Sequence, residues 1–189
     1  INKVNIWYPA DLKFRESLLR KLNRIQPGDL YSESIVNTTY YRLSALNVFN
    51  SVNIEMTPSD SALVDCDIRL GESNMMGFKL NAEVSSNSSG LLGASPQLSF
   101  YHKNLFNGGE RLNLEFTGNW QFMPGTDVAS TELGVSASLS FPRALGYPLE
   151  KAKGRNIPRT EFSASYNYQN RPEYRRSIAG FTYGYTGQI

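Results

Sequence analysis

Glu110-Arg111-Leu112-Asn113-Leu114-Glu115-Phe116-Thr117-Gly118-Asn119-Trp120-Gln121-Phe122 decides how the rest of this chain is read. Leu112, Leu114, Phe116, Trp120 and Phe122 share one parity; Asn113, Glu115, Thr117, Asn119 and Gln121 share the other. Side chains alternate faces along an extended strand, so one face is apolar and the other polar. At roughly 10 residues or more, the stretch exceeds the usual soluble strand and suffices to cross a bilayer when tilted. Immediately before it, Asn104-Leu105-Phe106-Asn107-Gly108-Gly109 reads as a tight turn whose glycines can take positive φ.

Outward from this stretch, the period of two persists after residue 75. Phe78, Leu80, Ala82 and Val84 oppose Lys79, Asn81 and Glu83, and a polar loop is expected from Ser85 to Gly90. Ala94, Pro96, Leu98 and Phe100 oppose Ser95, Gln97, Ser99 and Tyr101. After a loop over 123–130, Leu133, Val135, Ala137, Leu139 and Phe141 oppose Glu132, Gly134, Ser136, Ser138 and Ser140. A basic connection over 142–158 leads to Phe162, Ala164, Tyr166 and Tyr168, and a turn over 170–174 leads to Phe181, Tyr183 and Tyr185. The reading is six antiparallel strands. A soluble sandwich also alternates, but these strands are long for one. Their polar face carries Ser, Gly, Asn and Thr, with few of the Lys/Glu pairs of a solvated surface. Tyr and Trp near strand ends suit a membrane-interface girdle.

The chain before residue 75 is a different kind of object. Val4, Ile6 and Tyr8 form a short strand ending at Pro9, and Phe14, Leu18, Leu22 and Ile25 line one face of a helix. Pro27-Gly28-Asp29 breaks it, and Ser32 is expected to N-cap a second helix, with Glu33 in its first turn. Ile35, Thr39, Leu43 and Leu46 form that helix's inner face. Val52, Ile54 and Met56 make a second strand, Pro58-Ser59-Asp60 is expected to turn the chain, and a third strand covers 62–70 with apolar even positions. The order β-α-α-β-β describes one small sheet with a helix pair on its apolar face.

Composition narrows the rest. The 189 residues carry a net charge of +2, so nothing global points to nucleic acid. Between Arg143 and Arg176, eight basic residues (Arg143, Lys151, Lys153, Arg155, Arg159, Arg171, Arg175, Arg176) face three acidic ones (Glu150, Glu161, Glu173). Solvated loops and strand ends account for such a run; contact with anionic head groups or acidic partners is the alternative. The single cysteine, Cys66, excludes an internal disulfide or a cysteine metal cluster and reads as a buried small hydrophobe. No apolar run reaches the length of a transmembrane helix. A mean hydropathy of −0.38 is compatible with a membrane barrel, whose apolar face hides in the alternation.

Pro27-Gly28-Asp29-Leu30-Tyr31-Ser32, followed by Leu43-Ser44-Ala45-Leu46-Asn47-Val48-Phe49-Asn50-Ser51-Val52-Asn53-Ile54, resembles the membrane-proximal POTRA domain of the BamA/TamA superfamily of outer-membrane assembly proteins. Ser89-Gly90 and the turn Asn104-Leu105-Phe106-Asn107-Gly108-Gly109-Glu110 are similar to that superfamily's first barrel hairpins. Phe141-Pro142-Arg143 and Arg171-Pro172-Glu173-Tyr174 resemble its later strand ends. Asp65-Cys66-Asp67 and the tyrosine-rich strands look most like the TamA-like (TamL) proteins of Bacteroidota. The resemblance covers nearly the whole chain and implies a POTRA domain over 1–72, followed over 73–189 by the N-terminal strands of an outer-membrane β-barrel. A full family barrel has sixteen strands and an arg-gly-phe lumen loop. This sequence supplies about six strands and no such loop, so it reads as a fragment, with further POTRA domains and a signal sequence expected upstream.

No catalytic residue emerges. His102 is the only histidine and lies beside Lys103 at a strand end; no nucleophile elbow, P-loop or dinucleotide fingerprint occurs. Asp65 and Asp67 are expected to face water. Neither metal nor cofactor is expected.

Function then falls to strand edges, which recruit extended chains by β-augmentation. The resemblance supplies two candidates. One is the POTRA edge Val52-Asn53-Ile54-Glu55-Met56-Thr57. The other is Gly77-Phe78-Lys79-Leu80-Asn81-Ala82-Glu83-Val84, one side of the family's lateral gate, where Gly77 and small neighbours are expected to weaken pairing. The implied partners are nascent outer-membrane proteins, the lipid bilayer and periplasmic or lipoprotein accessory subunits, in the outer membrane of a Gram-negative cell with the POTRA domain in the periplasm. Three other readings stand beside this one. They are a two-partner-secretion-type transporter, a barrel fused to an upstream phospholipase, and a soluble αβ module joined to a β-sandwich adhesion domain.

Overall fold

The structure, a computed structural model, describes residues 1–187 except 12, 61, 72, 87, 89, 128 and 147–156. Its elements are β1 (Val4–Trp7), α1 (Glu16–Leu22), α2 (Glu33–Ser44), β2 (Val52–Asp60), β3 (Leu63–Leu70), β4 (Met76–Ser86), β5 (Leu92–His102), β6 (Arg111–Phe122), β7 (Ala129–Phe141), β8 (Arg159–Asn170) and β9 (Arg175–Thr186). They form two sheets, a three-stranded one ordered β1-β3-β2 and a six-stranded one ordered β4 through β9.

The first sheet mixes a parallel β1–β3 pair with an antiparallel β2–β3 pair. Cys66, Ile68 and Leu70 of β3 point under the helices and join Leu19, Leu22, Leu43, Leu46, Val48 and Phe49 in the core. Cys66 is fully buried, and burial, aided by the neighbouring Asp67 charge, pushes its thiol up to about 11. Several details depart from the periodicity. α1 is only 7 residues long, and Leu19 is buried beside Leu22, while Phe14 and Ile25 pack from outside the helix. Phe14 meets Phe49 with ring centroids 5.7 Å apart. Ser32 does precede α2, with Glu33 in the first turn, but its side chain makes no capping hydrogen bond. Arg42 shares the inner face of α2 with Thr39 and Leu43, and burial, then the Arg24 charge, lowers its pKa. Pro58-Ser59-Asp60 is not the turn: β2 runs through it, with a register shift between Pro58 and Asp60. A proline is tolerated there because β2 is an edge strand.

The second sheet is antiparallel throughout, and its strands are 11 to 13 residues long. At about 3.4 Å per residue they reach about 37–44 Å, or about 26–31 Å along a membrane normal when tilted by about 45°. Ser85 and Ser86, expected in the loop, instead pair with Gly93 and Leu92 in the β4–β5 ladder. Pro96 lies inside β5, and there the β5–β6 pairing skips Ser95 and Pro96, opposite Gly118 and Asn119. The missing proline N–H accounts for that gap.

Antiparallel alternation puts 104–109, 142–146, 157–158 and the β4 start at the end nearest the αβ unit. Ser88, Gly90, Leu91, 123–127 and 171–174 lie at the far end. Much of the 142–158 connection falls outside the described residues. Its last part, Ile157, is buried in the core of the αβ unit.

Candidate functional site: free strand edges beside an apolar face

β4 is the first strand of the open sheet and pairs with β5 at every position from Met76↔His102 to Ser86↔Leu92. Gly77 leaves no break in that register. The Tyr101 ring lies over it, and a Cβ at 77 would come within 2.7 Å of that ring. The Lys103 N–H donates to the Met75 carbonyl at 2.7 Å, which makes 75 and 103 a hydrogen-bonded pair. Such pairs alternate in an antiparallel ladder, so the odd residues of β4 bond to β5. The N–H and C=O groups of Phe78, Leu80, Ala82 and Val84 consequently point away, along an edge that meets no strand among the described residues. Phe78, Leu80 and Val84 are 79%, 69% and 83% exposed.

β2 offers the other edge. The Gly71 N–H donates to the Ser51 carbonyl at 2.9 Å, and the same alternation turns the backbone groups of Val52, Ile54 and Met56 outward. Their side chains pack against the core. Asn53, Glu55 and Thr57 lie on the opposite face, where Asn53 Nδ2 donates to Glu55 Oε1 at 3.1 Å and Glu55 lies 3.5 Å from Arg69.

Register fixes which residues of the six strands share a face. Phe78, Leu98, Phe116, Val135, Tyr166 and Phe181 fall together on one, by the pairs Leu98↔Phe116, Phe116↔Val135, Val135↔Tyr166 and Ala164↔Phe181. Lys79, Glu83, Arg111, Glu115, Glu132, Arg159, Glu161 and Arg176 all fall on the other. Among strand residues the apolar face carries a single formal charge, Arg175, at its far tip. Across the polar face a row of side chains ties the edge strand inward: Asn81 Nδ2 donates to Gln97 Oε1 at 3.1 Å, and Gln97 Nε2 donates to Glu115 Oε1 at 2.5 Å. Arg171 at the far turn pairs with Glu132.

Sequence reasoning missed the joint between the two sheets. Asn104 is 5% exposed; its Oδ1 accepts the Gly109 N–H at 2.9 Å and its Nδ2 donates to the Lys13 carbonyl at 2.8 Å. The Glu110 carboxylate accepts the Gly108 N–H at 2.8 Å, and the Arg15 N–H donates to the Asn107 carbonyl at 2.7 Å. Gly109 has φ +73°, and a Cβ there would stand 3.2 Å from Leu46 Cδ2. Arg159, at the start of β8, donates to the Ala45 carbonyl just beyond α2. The signal was present: an Asx residue and a glutamate bracketing Gly-Gly can each cap the turn they enclose.

The remaining candidates are engaged locally. His102 Nδ1 accepts the Asn104 N–H at 3.2 Å. Asp65 and Asp67 lie on the face away from the helices but are half-buried and not simply solvated. Asp65 accepts from Asn2 Nδ2 at 3.0 Å. Asp67 accepts from Asn5 Nδ2 at 2.8 Å and Trp7 Nε1 at 3.3 Å. Those two donors hold the Asp67 carboxyl below the usual carboxylate range. Among the described residues no three His, Cys, Asp or Glu side chains gather as metal ligands, and no helix is long and apolar enough to cross a membrane.

No protein-family profile matches the chain, and no curated protein sequence does. Solved structures do. CdiB from Acinetobacter baumannii superposes over 98% of this chain and 42% of its own, with a TM-score of 0.53 at 11% identity. BamA from Haemophilus ducreyi lacking POTRA domains 1–3 matches over 96% of this chain and 42% of its own, with a TM-score of 0.42 at 14% identity. The chain thus spans less than half the length of either, and the likeness to CdiB is one of fold.

Proposed function

We propose that this chain is a membrane-proximal POTRA domain over 1–72 joined, over 73–189, to the first strands of an outer-membrane β-barrel. It works as an assembly, insertion or translocation component of the BamA/TamA superfamily. One observation carries the reading: six bilayer-length strands confine every formal charge but Arg175 to one face. A soluble sheet hides such an apolar face in a core, whereas here Phe116, Trp120, Leu133, Val135 and Phe181 are 43–72% exposed. Lipid is the environment that suits an apolar face this wide and this free of charge. Further strands would close the barrel, since the smallest membrane barrels have eight. The polar face, with its Asn81–Gln97–Glu115 row, then lines the lumen.

With the αβ unit in the periplasm, the 104–109 turn and the 142–158 connection are periplasmic, and loops 87–91, 123–128 and 171–174 face outward. The outward backbone groups of Phe78, Leu80, Ala82 and Val84 form the lateral gate edge, and those of Val52, Ile54 and Met56 the POTRA edge. Each adds a client strand through main-chain hydrogen bonds, which read extended shape and little sequence. No cofactor or nucleotide enters: a client satisfies its backbone and buries its apolar face in lipid. Nascent outer-membrane proteins are the clients, and periplasmic or lipoprotein subunits the accessories. The placement among TamL proteins of Bacteroidota rests on Asp65-Cys66-Asp67 and the tyrosine-rich strands alone.

The test exploits the ladder's parity. Leu80→Pro removes an outward donor and leaves the β4–β5 bonds intact, whereas Lys79→Pro removes an inward one. In the intact protein, Leu80→Pro should still fractionate with the outer membrane and keep heat-modifiable migration, yet impair outer-membrane protein assembly. Normal assembly by that variant sinks the gate assignment. Loss of export of one dedicated partner, with general assembly intact, would move the reading to a two-partner-secretion-type transporter.

A further inference from the structure

A cavity of about 440 Å³ opens where the αβ unit meets the base of the six-stranded sheet. Arg15 and Lys21 of the αβ unit line it, as do Arg143 and Leu145 of the wall that follows β7, and Glu110 is the acidic residue among the described lining residues. Both arginines are seated by their backbones. The Arg15 N–H is held by the Asn107 carbonyl at 2.7 Å, and the Arg143 carbonyl accepts from Thr160 Oγ1 at 2.8 Å. Glu110 is 3% exposed and turned into its own turn, where it accepts the Gly108 N–H at 2.8 Å. Arg15 and Arg143 are therefore the two cations the site offers an anion, beside a carboxylate already engaged with its own turn.

The position of this cavity matters as much as its charge. Thr160 and Tyr185 lie on the apolar face of the sheet, by Phe141↔Thr160 and Thr160↔Tyr185. Thr160 Oγ1 also accepts the Leu145 N–H at 3.0 Å, and the Tyr185 hydroxyl donates to the Leu145 carbonyl at 3.1 Å. The wall carrying Arg143 is thus folded onto the apolar face at its base. An anion in the cavity would stand where that face ends, beside a row of aromatic rings across β7, β8 and β9 in which Phe141 meets Phe162 edge to face and Phe162 meets Tyr183 at a tilt. We propose that the cavity is a binding site for the anionic phosphodiester headgroup of a lipid, whose acyl chains lie along the apolar face. Arginine suits the task, because its planar fork grips phosphate oxygens in pairs.

This inference rests on the membrane reading above, and the experiment separates the two. The intact protein, purified in a neutral detergent, is titrated with short-chain phosphatidylglycerol, short-chain phosphatidylcholine and inorganic phosphate, and bound species are counted by native mass spectrometry. Each basic residue near an anionic lipid contributes about fivefold, so the wild type should prefer phosphatidylglycerol over phosphatidylcholine by about 25-fold. Arg15→Gln with Arg143→Gln should abolish that preference. Arg175→Gln with Arg176→Gln, an equal change of charge at the far end, should keep it. An unchanged preference in the first pair, or equal loss in both pairs, overturns the site. Inorganic phosphate bound as tightly as phosphatidylglycerol overturns the lipid assignment. Heat-modifiable migration of each variant checks that it is folded. A protein that stays monodisperse without detergent would instead overturn the membrane reading itself.

Discussion

Val135 and Ser136 are consecutive residues that the proposed bilayer treats in opposite ways. Val135 is the seventh of the 13 residues of β7, paired with Phe116 and Tyr166 on the apolar face. Six residues at about 3.4 Å separate it from either strand end, or about 14 Å of depth at a tilt of about 45°, which is close to the midplane. Ser136 lies on the polar face between Glu115 and Ser165. A lysine on the lipid face at the midplane costs about 2–4 kcal/mol, about 30- to 1,000-fold in a folding equilibrium. A lysine at 136 keeps its water and gains Glu115 across the strand pair, so Ser136→Lys should cost no more than about 1 kcal/mol. Urea titration of the intact protein in lipid vesicles, scored by the folded band on an unheated gel, measures both. If Ser136→Lys costs as much as Val135→Lys, or more, the sheet has no lipid face and the membrane reading fails with it.

Two further predictions concern the αβ unit. Asn104→Ala leaves the buried Gly109 N–H without its acceptor and the Lys13 carbonyl without its donor. The loss should be about 1–3 kcal/mol, seen as faster amide exchange across α1 while the middle of β6 stays protected; unchanged exchange in α1 would show that this turn does not hold the unit. Asp67 has a folded-state pKa below the ordinary carboxylate value of about 3.9, so its stabilising bonds to Asn5 and Trp7 are fully present above that pH. They are lost as pH falls through the lowered value. In a Trp120→Phe background, Trp7 fluorescence should titrate in that acid range, and Asp67→Asn should remove the transition.

The strands were legible because each repeats one signal at period two over about six to eleven positions, and neighbours then lock register along most of their length. The helices were less so. α1 is too short for its own periodicity to identify Leu19, and Phe14 and Ile25 mimic helical spacing while packing from extended flanks. A buried Arg42 breaks the rule that inner helical positions are apolar, and a strand that continues through Pro58 reads locally as a turn. The joint was invisible for a different reason. Asn104 reaches back to Lys13, and Ile157 enters a core whose other buried residues all lie between Leu19 and Leu70. Such contacts leave no trace in local pattern.

That joint bears on how the free edge of β4 would open. The base of β4 is pinned: the Lys103 N–H holds the Met75 carbonyl, Lys103 Nζ reaches Ser73 Oγ at 3.3 Å, and Tyr101 covers Gly77. Midway, Asn81 is tied through Gln97 to Glu115. Beyond it little holds the pair. Glu83 faces Ser95 and Ser85 faces Gly93, small residues with little side-chain surface to share. Ser95 and Pro96 are themselves unpaired with β6, so β5 is least supported where it must support β4. The pair should therefore fray from the far end toward the αβ unit. Only the inward amides report on this, since those of even residues point away from β5. Exchange at Glu83 and Ser85 should be faster than at Gly77, Lys79 and Asn81, and Gln97→Ala should extend the fast zone to Asn81 without reaching Gly77. Uniform protection along β4, or faster exchange at Gly77 than at Ser85, would refute opening from the far end and shift the point of client entry to the base.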